Sequence, residues 1–441
     1  MFGLLRNALL CTAMTIAFVL PAQAKGKTLV MLDGTNGEDV FASPTLGTDG
    51  NLYGTTVYGG ANGEGTIFRL TPKGKYTLLY NFCSQSGCSD GANGEWLTEG
   101  ADGNFYGQTY SGGSANEGAI FEITPGGTFT PLYSWCSQAN CTDGANPQSA
   151  FVQTGDGTFW GTTIGGGANN KGTVFKFVPG KAPVIVYSFC SQSGCTDGSN
   201  PFTGLVLASD GNFYGVTAEG GSSGDYCGLT GYGCGTVFRI TPKGVLTTIY
   251  TFCTQTGCKD GGIPQGQLIQ AKDGDLYGTT DVGGAEQYGG DGQGTVFKIG
   301  LKGKFATLYT FCPGSNCSDG IDPTAGVIQG TDGNFYGTTQ LGGPDGWGNV
   351  YRLTAKGKLS SVYGVNDTDG ASIAAGVVQA SNGLLYGGST EGGSSSCSEG
   401  CGVIFDASPK YKQAAIRPAV TNPADMPRPA LPATPLSLPR R

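Results

Sequence analysis

The chain contains no histidine. That absence removes the commonest general base, the commonest metal ligand and every Ser-His-Asp arrangement. Charge is scarce as well: 13% of residues are Asp, Glu, Lys or Arg, and the net charge is −8. Nucleic-acid binding needs Lys and Arg clustered against phosphates, and the sequence has no such stripe. Helical periodicity is not evident, so the glycines do not read as a phosphate-cradling loop, which needs a strand leading into a helix. Beyond the N-terminus no apolar run is long enough to span a bilayer.

Glycine, in contrast, is abundant, at 80 of 441 residues, without the every-third-residue period of collagen. With 10% aromatics, the composition suits many short strands joined by tight turns. The chain opens MFGLLRNALLCTAMTIAFVLPAQAK, in which one Arg precedes a short apolar run and Ala22-Gln23-Ala24 supplies small residues for cleavage. Residues 1–24 therefore read as a secretory signal, and the mature protein as secreted, extracellular or periplasmic.

The cysteines agree with export. Of the 15, Cys11 lies in the signal, and the others form seven local pairs: Cys83–Cys88, Cys136–Cys141, Cys190–Cys195, Cys227–Cys234, Cys253–Cys258, Cys312–Cys317 and Cys397–Cys401. Close pairs in an exported chain read as disulfides. A Cys-only zinc site needs four converging thiolates, which pairs spread over separate repeats do not supply. Closing so small a ring stabilises by about 2 kcal/mol per bridge on the chain-entropy estimate.

Two motifs recur. FCSQSGCSDG at 82–91 returns four more times as a paired-cysteine loop ending in Asp-Gly. Asp-Gly-Asn-aromatic-Tyr-Gly begins at 49, 102, 156, 210, 273, 332 and 382, with small variations. Seven copies at intervals of 50–63 residues mean a repeat architecture. Within 203–252, TGLVLA, NFYGVT, GTVFRI and VLTTIYTF alternate with Ser-Asp-Gly-Asn, Gly-Gly and Thr-Pro-Lys-Gly turns. Each unit is thus a four-stranded antiparallel meander. Seven such sheets bury both faces only when packed around an axis, which predicts an all-β, seven-bladed β-propeller, with a β-solenoid as the alternative.

The ends predict how the ring closes. The last unit lacks a fourth strand, while KGKTLVML at the start of the mature chain matches fourth strands such as KGKYTLLY. Residues 27–32 are expected to complete the seventh blade and remove both open edges. The organisation is then a signal at 1–24, a propeller at 25–409 and an extended tail at 410–441 carrying seven prolines.

A meander sends alternate connections to opposite faces. The Asp-Gly-Asn and Thr-Pro-Lys-Gly turns share one face, and the long, variable loops with all the cysteine pairs share the other. Loops over a rigid scaffold carry function, so the long-loop face is the expected binding face. It is acidic, presenting Asp90, Glu95, Asp143, Asp197, Asp225, Asp260, Asp291, Asp319, Asp345 and Asp369 against few cations such as Lys171 and Lys259. Candidate binding residues are Asp90, Asp143, Asp197, Asp260 and Asp319 of the cysteine loops, with Tyr226, Tyr232, Tyr288 and Trp347. Each loop aspartate has two further readings: a local turn, or a Ca²⁺ ligand. No known calcium-loop spacing is present, so no cofactor is expected, with calcium as the alternative. The recurring Tyr53, Tyr106, Trp160, Tyr214, Tyr277, Tyr336 and Tyr386 read as packing between blades.

The pattern DGNFYGTT…GG…GTVFRITPKG…LYSFC…DG resembles the GloVer tandem repeat of exported bacterial proteins, over about residues 27–406. The resemblance implies an extracellular β-propeller and brings no catalytic residues. The expected function is a disulfide-stapled scaffold that binds a glycan or an exported protein through its long-loop face. The alternatives are a carbohydrate-active enzyme using paired carboxylates near the axis, and a structural surface protein.

Overall fold

The computed structural model describes residues 26–221, 233–284, 293–314 and 316–408. The signal at 1–24 and the tail at 410–441 lie outside these residues. Within them the chain forms seven four-stranded antiparallel sheets, the blades of a propeller. Blades 1 to 6 occupy 45–81, 92–134, 152–188, 206–251, 269–310 and 328–364, each with its strands in sequence order. Blade 7 takes three strands from 378–407 and its outer strand, Lys27–Met31, from the N-terminal end of the described residues. Lys27 pairs with Asp406 and Met31 with Val403, so the expected closure of the ring by the N-terminal strand holds. Among the described residues no helix is long and apolar enough to cross a membrane.

The middle strands explain the repeat. In Leu52–Thr56 every residue is buried, and Thr66–Leu70 exposes only Arg69 in part. Both faces of these strands are covered by neighbouring blades, which is why even their threonines are buried. The turn motif fastens each blade to the next. Tyr53 Oη donates to Asp49 at 2.8 Å, and the same bond recurs from Tyr106, Tyr214, Tyr277 and Tyr336. The ring of each Tyr then packs on the following blade. Tyr53 stacks on Phe105 with centroids 4.0 Å apart, Trp160 on Phe213 at 4.2 Å and Tyr277 on Phe335 at 4.1 Å. Such pairs contribute about 1 kcal/mol each beyond their buried area.

A second clasp lies on the same face. Glu99, Gln153, Gln270, Gln329 and Gln379 each accept a backbone N–H from the turn of the preceding blade, at 2.8–2.9 Å. Leu46 and Leu207 occupy this position in the other two blades. The inner strands differ from expectation. The run read as TGLVLA pairs only at Val206–Leu207, and five other inner strands are equally short. Their preceding residues descend along the axis without sheet partners. Blade 2 alone has a long inner strand, Ala92–Glu99.

Candidate functional site

The cysteine loops are built inward. In the first, Cys83 and Cys88 are disulfide-bonded and both backbones are left-handed, at φ 56° and 51°. The Asp90 carboxylate accepts from Tyr80 Oη at 2.7 Å, Ser84 N at 2.9 Å and Gln85 N at 3.1 Å. Asp143, Asp197 and Asp260 repeat this set and add the hydroxyl of Ser137, Ser191 or Thr254. Asp319 receives Tyr309 Oη and Cys312 N. The first four aspartates are at most 2% exposed and Asp319 is half-buried. These carboxylates therefore hold the disulfide loop against its own blade, as the local reading of Asp-Gly expects.

The two kinds of long loop share a face and are bonded together there. The carbonyls of Cys88, Cys141, Cys195, Cys258 and Cys317 accept from Gly113, Gly167, Gly221, Gly284 and Gly343, each the second glycine of a Gly-Gly pair. Disulfides join Cys136–Cys141, Cys190–Cys195, Cys253–Cys258, Cys312–Cys317 and Cys397–Cys401. Cys234 is also disulfide-bonded. Its sulfur converges with those of Cys253 and Cys258 within 4.8 Å, an approach of bonded staples and not of free thiolates. Tyr226, Cys227, Tyr232 and Tyr288 lie outside the described residues. Trp347 is half-buried against the core between blades 6 and 7, and its carbonyl accepts from Ser372 N.

Where the loops turn down toward the axis, each blade places one residue with positive φ: Asp39, Asn93, Asn146, Asn200, Ile263, Asp322 and Ser372. Every one of these N–H groups donates to a carbonyl of the preceding blade. This ring of bonds forms the mouth of the central channel. Below it lies a cavity of about 590 Å³ lined by inner segments from all seven blades, and among the described residues that line it none is charged.

The cavity wall is asymmetric. Six residues before each turn motif the seven units carry Ser43, Trp96, Ala150, Gly204, Gln267, Gly326 and Gly376. All five small residues in this series, Ser43, Ala150, Gly204, Gly326 and Gly376, line the cavity directly, as does Gln267. Trp96 lines it too, with its ring edge-on to Phe41 at 6.2 Å between centroids. Phe202 and Gln148 complete this side, and Gln265 and Gln267 stand among smaller residues on the other. Trp96 arrives there by a bulge. Gly94 pairs with Thr109 and Leu97 with Gly107, so Glu95 and Trp96 together oppose Gln108. A bulge of this kind re-aims side chains. Sequence reasoning placed the site on the loops and missed Phe41, Trp96, Gln148 and Phe202. The signal was present: Trp96 is a large residue at a position that its six counterparts fill with a smaller one.

Around the mouth, burial among acids with few cations raises carboxyl groups. Burial, with Glu38, Glu391 and Glu399 nearby, pushes Asp39 up to about 8. Burial, with Glu399 and Asp367, pushes Glu391 to about 7. Asp322 is raised by burial and by Asp281, whose Oδ2 accepts from Gln265 Nε2 at 3.4 Å. Glu95 is raised well above the usual range by burial, against a hydrogen bond from Gln148. Glu219 is raised by burial, offset in part by Lys171 at 3.8 Å.

No curated protein resembles the chain in sequence. Solved propellers share its architecture at low identity. A fungal alcohol oxidase in complex with copper is 14% identical with a TM-score of 0.52, over 87% of this chain and 76% of that one. A luciferin-regenerating enzyme is 12% identical at 0.45, over 90% and 100%. A gluconolactonase from Xanthomonas campestris is 11% identical at 0.41, over 86% and 89%. Likeness at this level shows the fold alone. The model of the Gloeobacter/Verrucomicrobia repeat family matches at 14–227, 135–317 and 289–425, and the chain belongs to that family.

Proposed function

We propose that the protein is a secreted binding scaffold that takes a glycan into the long-loop end of its channel. The observation that supports this most is the Glu95–Trp96 bulge, which sets an indole in a ring of otherwise smaller residues. Aromatic faces pack against the C–H faces of sugar rings, while amides such as those of Gln148 and Gln265 match hydroxyls. A mostly apolar concavity with a few convergent polar groups is the usual form of a small-ligand site. The disulfide loops stiffen the rim, which lowers the ordering cost of binding.

The test is a glycan array probed with the oxidised mature chain (25–441) and with Trp96→Ala. Selective binding by the wild type that is lost in Trp96→Ala, with an unchanged melting temperature, supports the reading. An array without any bound glycan sinks it and transfers the role to an exported protein partner. A carbohydrate-active enzyme is the second reading, favoured by Asp281 and Asp322, the charge of the first raising the second, beside the cavity-lining Gln265 and Thr324. Hydrolysis of a bound glycan, abolished in Asp322→Asn, is its distinguishing outcome.

A further inference from the structure

The cavity wall changes character with depth. Eight residues before the turn motifs, nearest the mouth, it presents Phe41, Gln148, Phe202, Gln265, Thr324 and Ala374. Six before the motif come Trp96 and the small residues. Four before it, toward the short-turn face, stand Val152, Val206, Ile269, Ile328 and Val378, with Thr45 and Thr98 completing the ring. The five aliphatic residues all line the cavity and are half-buried, whereas the residue before each of them is buried in the core. The alternation of an extended chain turns this aliphatic girdle toward the axis. The girdle does not close on itself, because its members stay partly exposed along the cavity. The polar side chains at this depth are already bonded within the protein. Thr45 Oγ1 donates to Leu97 O at 2.6 Å, and Thr98 Oγ1 to Phe151 O at 3.1 Å. Gln270, one residue further down, bonds Ser209 and Gly274 through both ends of its amide.

We propose that the ligand is an uncharged glycoside with a hydrocarbon aglycone, its sugar against Trp96 and its chain running down the axis into the girdle. The inference rests on the channel being a glycan site and adds the class of glycan. A saccharide that reached the girdle would bury hydroxyls without partners, which is unfavourable. A hydrocarbon chain meets only aliphatic side chains there and gains with each methylene withdrawn from water. The girdle lies two residues below the Trp96 tier, about 7 Å at 3.3 Å per residue, so a chain attached to a sugar at Trp96 enters it directly. The small residues between the two tiers leave the axis clear for that chain. The head group is uncharged because the described residues that line the cavity include no charge, and the mouth carries Asp39 and Asp322. A carboxylate head such as that of a fatty acid would meet these acids without a counter-ion.

The experiment titrates the oxidised mature chain with methyl, butyl, hexyl and octyl glucosides, galactosides and maltosides, each below its micelle-forming concentration. The proteins are the wild type, Trp96→Ala, Val206→Phe and the triple variant Val206→Thr, Ile269→Thr, Ile328→Thr, with melting temperatures recorded for each. Threonine already stands at this position in blades 1 and 2, so the triple variant keeps the shape of the wall and changes its polarity. Wild-type affinity should rise about fourfold per added methylene and level off once the chain passes the girdle. The triple variant should bind octyl glycosides at least tenfold more weakly and methyl glycosides within about twofold of the wild type. Val206→Phe should level off at a shorter chain, and it carries the test if the triple variant melts several degrees lower. Trp96→Ala should weaken every chain length. The same octyl glycoside held in phosphatidylcholine vesicles separates a bilayer source from a dispersed one; its depletion from the vesicles, or capture of the monomer alone, each supports the proposal. A wild-type series that binds methyl glycosides without gain from the chain overturns the proposal and leaves the channel reading intact. So does equal octyl affinity in the wild type and both girdle variants. Octanoate or octyltrimethylammonium bound as tightly as octyl glucoside also overturns it, because the hydrocarbon alone then suffices. A wild type that binds none of the glycosides fells the channel reading itself and the proposal with it.

Discussion

The recurring turns of one face and the channel mouth of the other treat carboxylates in opposite ways. On the short-turn face, partial burial raises Asp49, Asp210 and Asp332, but hydrogen bonds from an Asn, a backbone N–H and a Tyr, with a nearby Arg, outweigh it and bring each below the usual range. Asp156 on the same face is lowered mainly by Thr154. At the channel mouth on the long-loop face burial dominates; neighbouring acids add to it at Asp39, Glu391 and Asp322, and burial alone raises Glu95. The first arrangement repeats from blade to blade and serves stability. The second differs from blade to blade and works against stability, which is the pattern expected where function and not folding sets the residue.

The pH dependence should divide along this line, and its alkaline half is the largest expected effect. A carboxyl raised in the folded state contributes stability that is full below its unfolded value and lost as pH rises through the folded one. Asp39, raised to about 8, should thus make the ring less stable between pH 4 and pH 8, by about 6 kcal/mol at most. Asp39→Asn should flatten that fall in urea midpoints measured across the range, and Glu391→Gln should do so to a lesser degree. The lowered turn-face acids predict the reverse. Their stability is present above about pH 4 and lost on acidification, so Asp210→Asn should change only the acid limb. Identical profiles for Asp39→Asn and Asp210→Asn would erase the contrast.

Glycines sharpen it next. Gly235 on the long-loop side has φ +93°, and a Cβ there would lie 2.2 Å from Thr217 O. Gly235→Ala should cost about 4 kcal/mol, from the left-handed backbone and the overlap together. Gly211 in the turn has φ +79° and nothing within 4 Å of a Cβ, so Gly211→Ala should cost about 1 kcal/mol. Chemical denaturation measures both. Asp197→Ala follows, at about 3 kcal/mol, because Tyr187, Ser191 and Gln192 lose a buried acceptor. Its turn-face counterpart Asp210→Ala should cost about 1 kcal/mol, since its donors reach water. The smallest loop-face effect is Cys190→Ser with Cys195→Ser, at about 2 kcal/mol or less. That double variant should also raise hydrogen exchange at 190–198 and leave the turn face unchanged.

Much of this was legible because it is local. The blade count, the Asp-Gly-Asn-aromatic turns and the cysteine pairs five residues apart each depend on residues close in sequence. The packing role of Tyr53 and its counterparts was readable from their recurrence alone. The loop aspartates were harder. Their local-turn reading was available, but the donor that turns each carboxylate inward is a Tyr ten residues earlier, on the outer strand. The inner strands were misjudged in length because apolar residues before Val206 and Ile269 face the channel and are not paired in a sheet. The channel wall was legible only at Trp96, the one large residue in its repeat position; that Phe41, Trp96, Gln148 and Phe202 meet was not, since they come from four different blades.

Seven copies of one pattern, with a spare outer strand at one end and a missing one at the other, were enough by themselves to specify a closed ring. A strand's partner is determined by hydrogen-bond register, and the repeat states that register seven times over. What only the tertiary structure decided is the environment of residues that the repeat does not share. Glu95 is an ordinary acidic residue in the sequence. It becomes a buried acid with an unpaired oxygen because a bulge turns it in between blades 2 and 3 and the closed ring removes the surrounding water. That desolvation is a property of three blades meeting, and no single segment carries it.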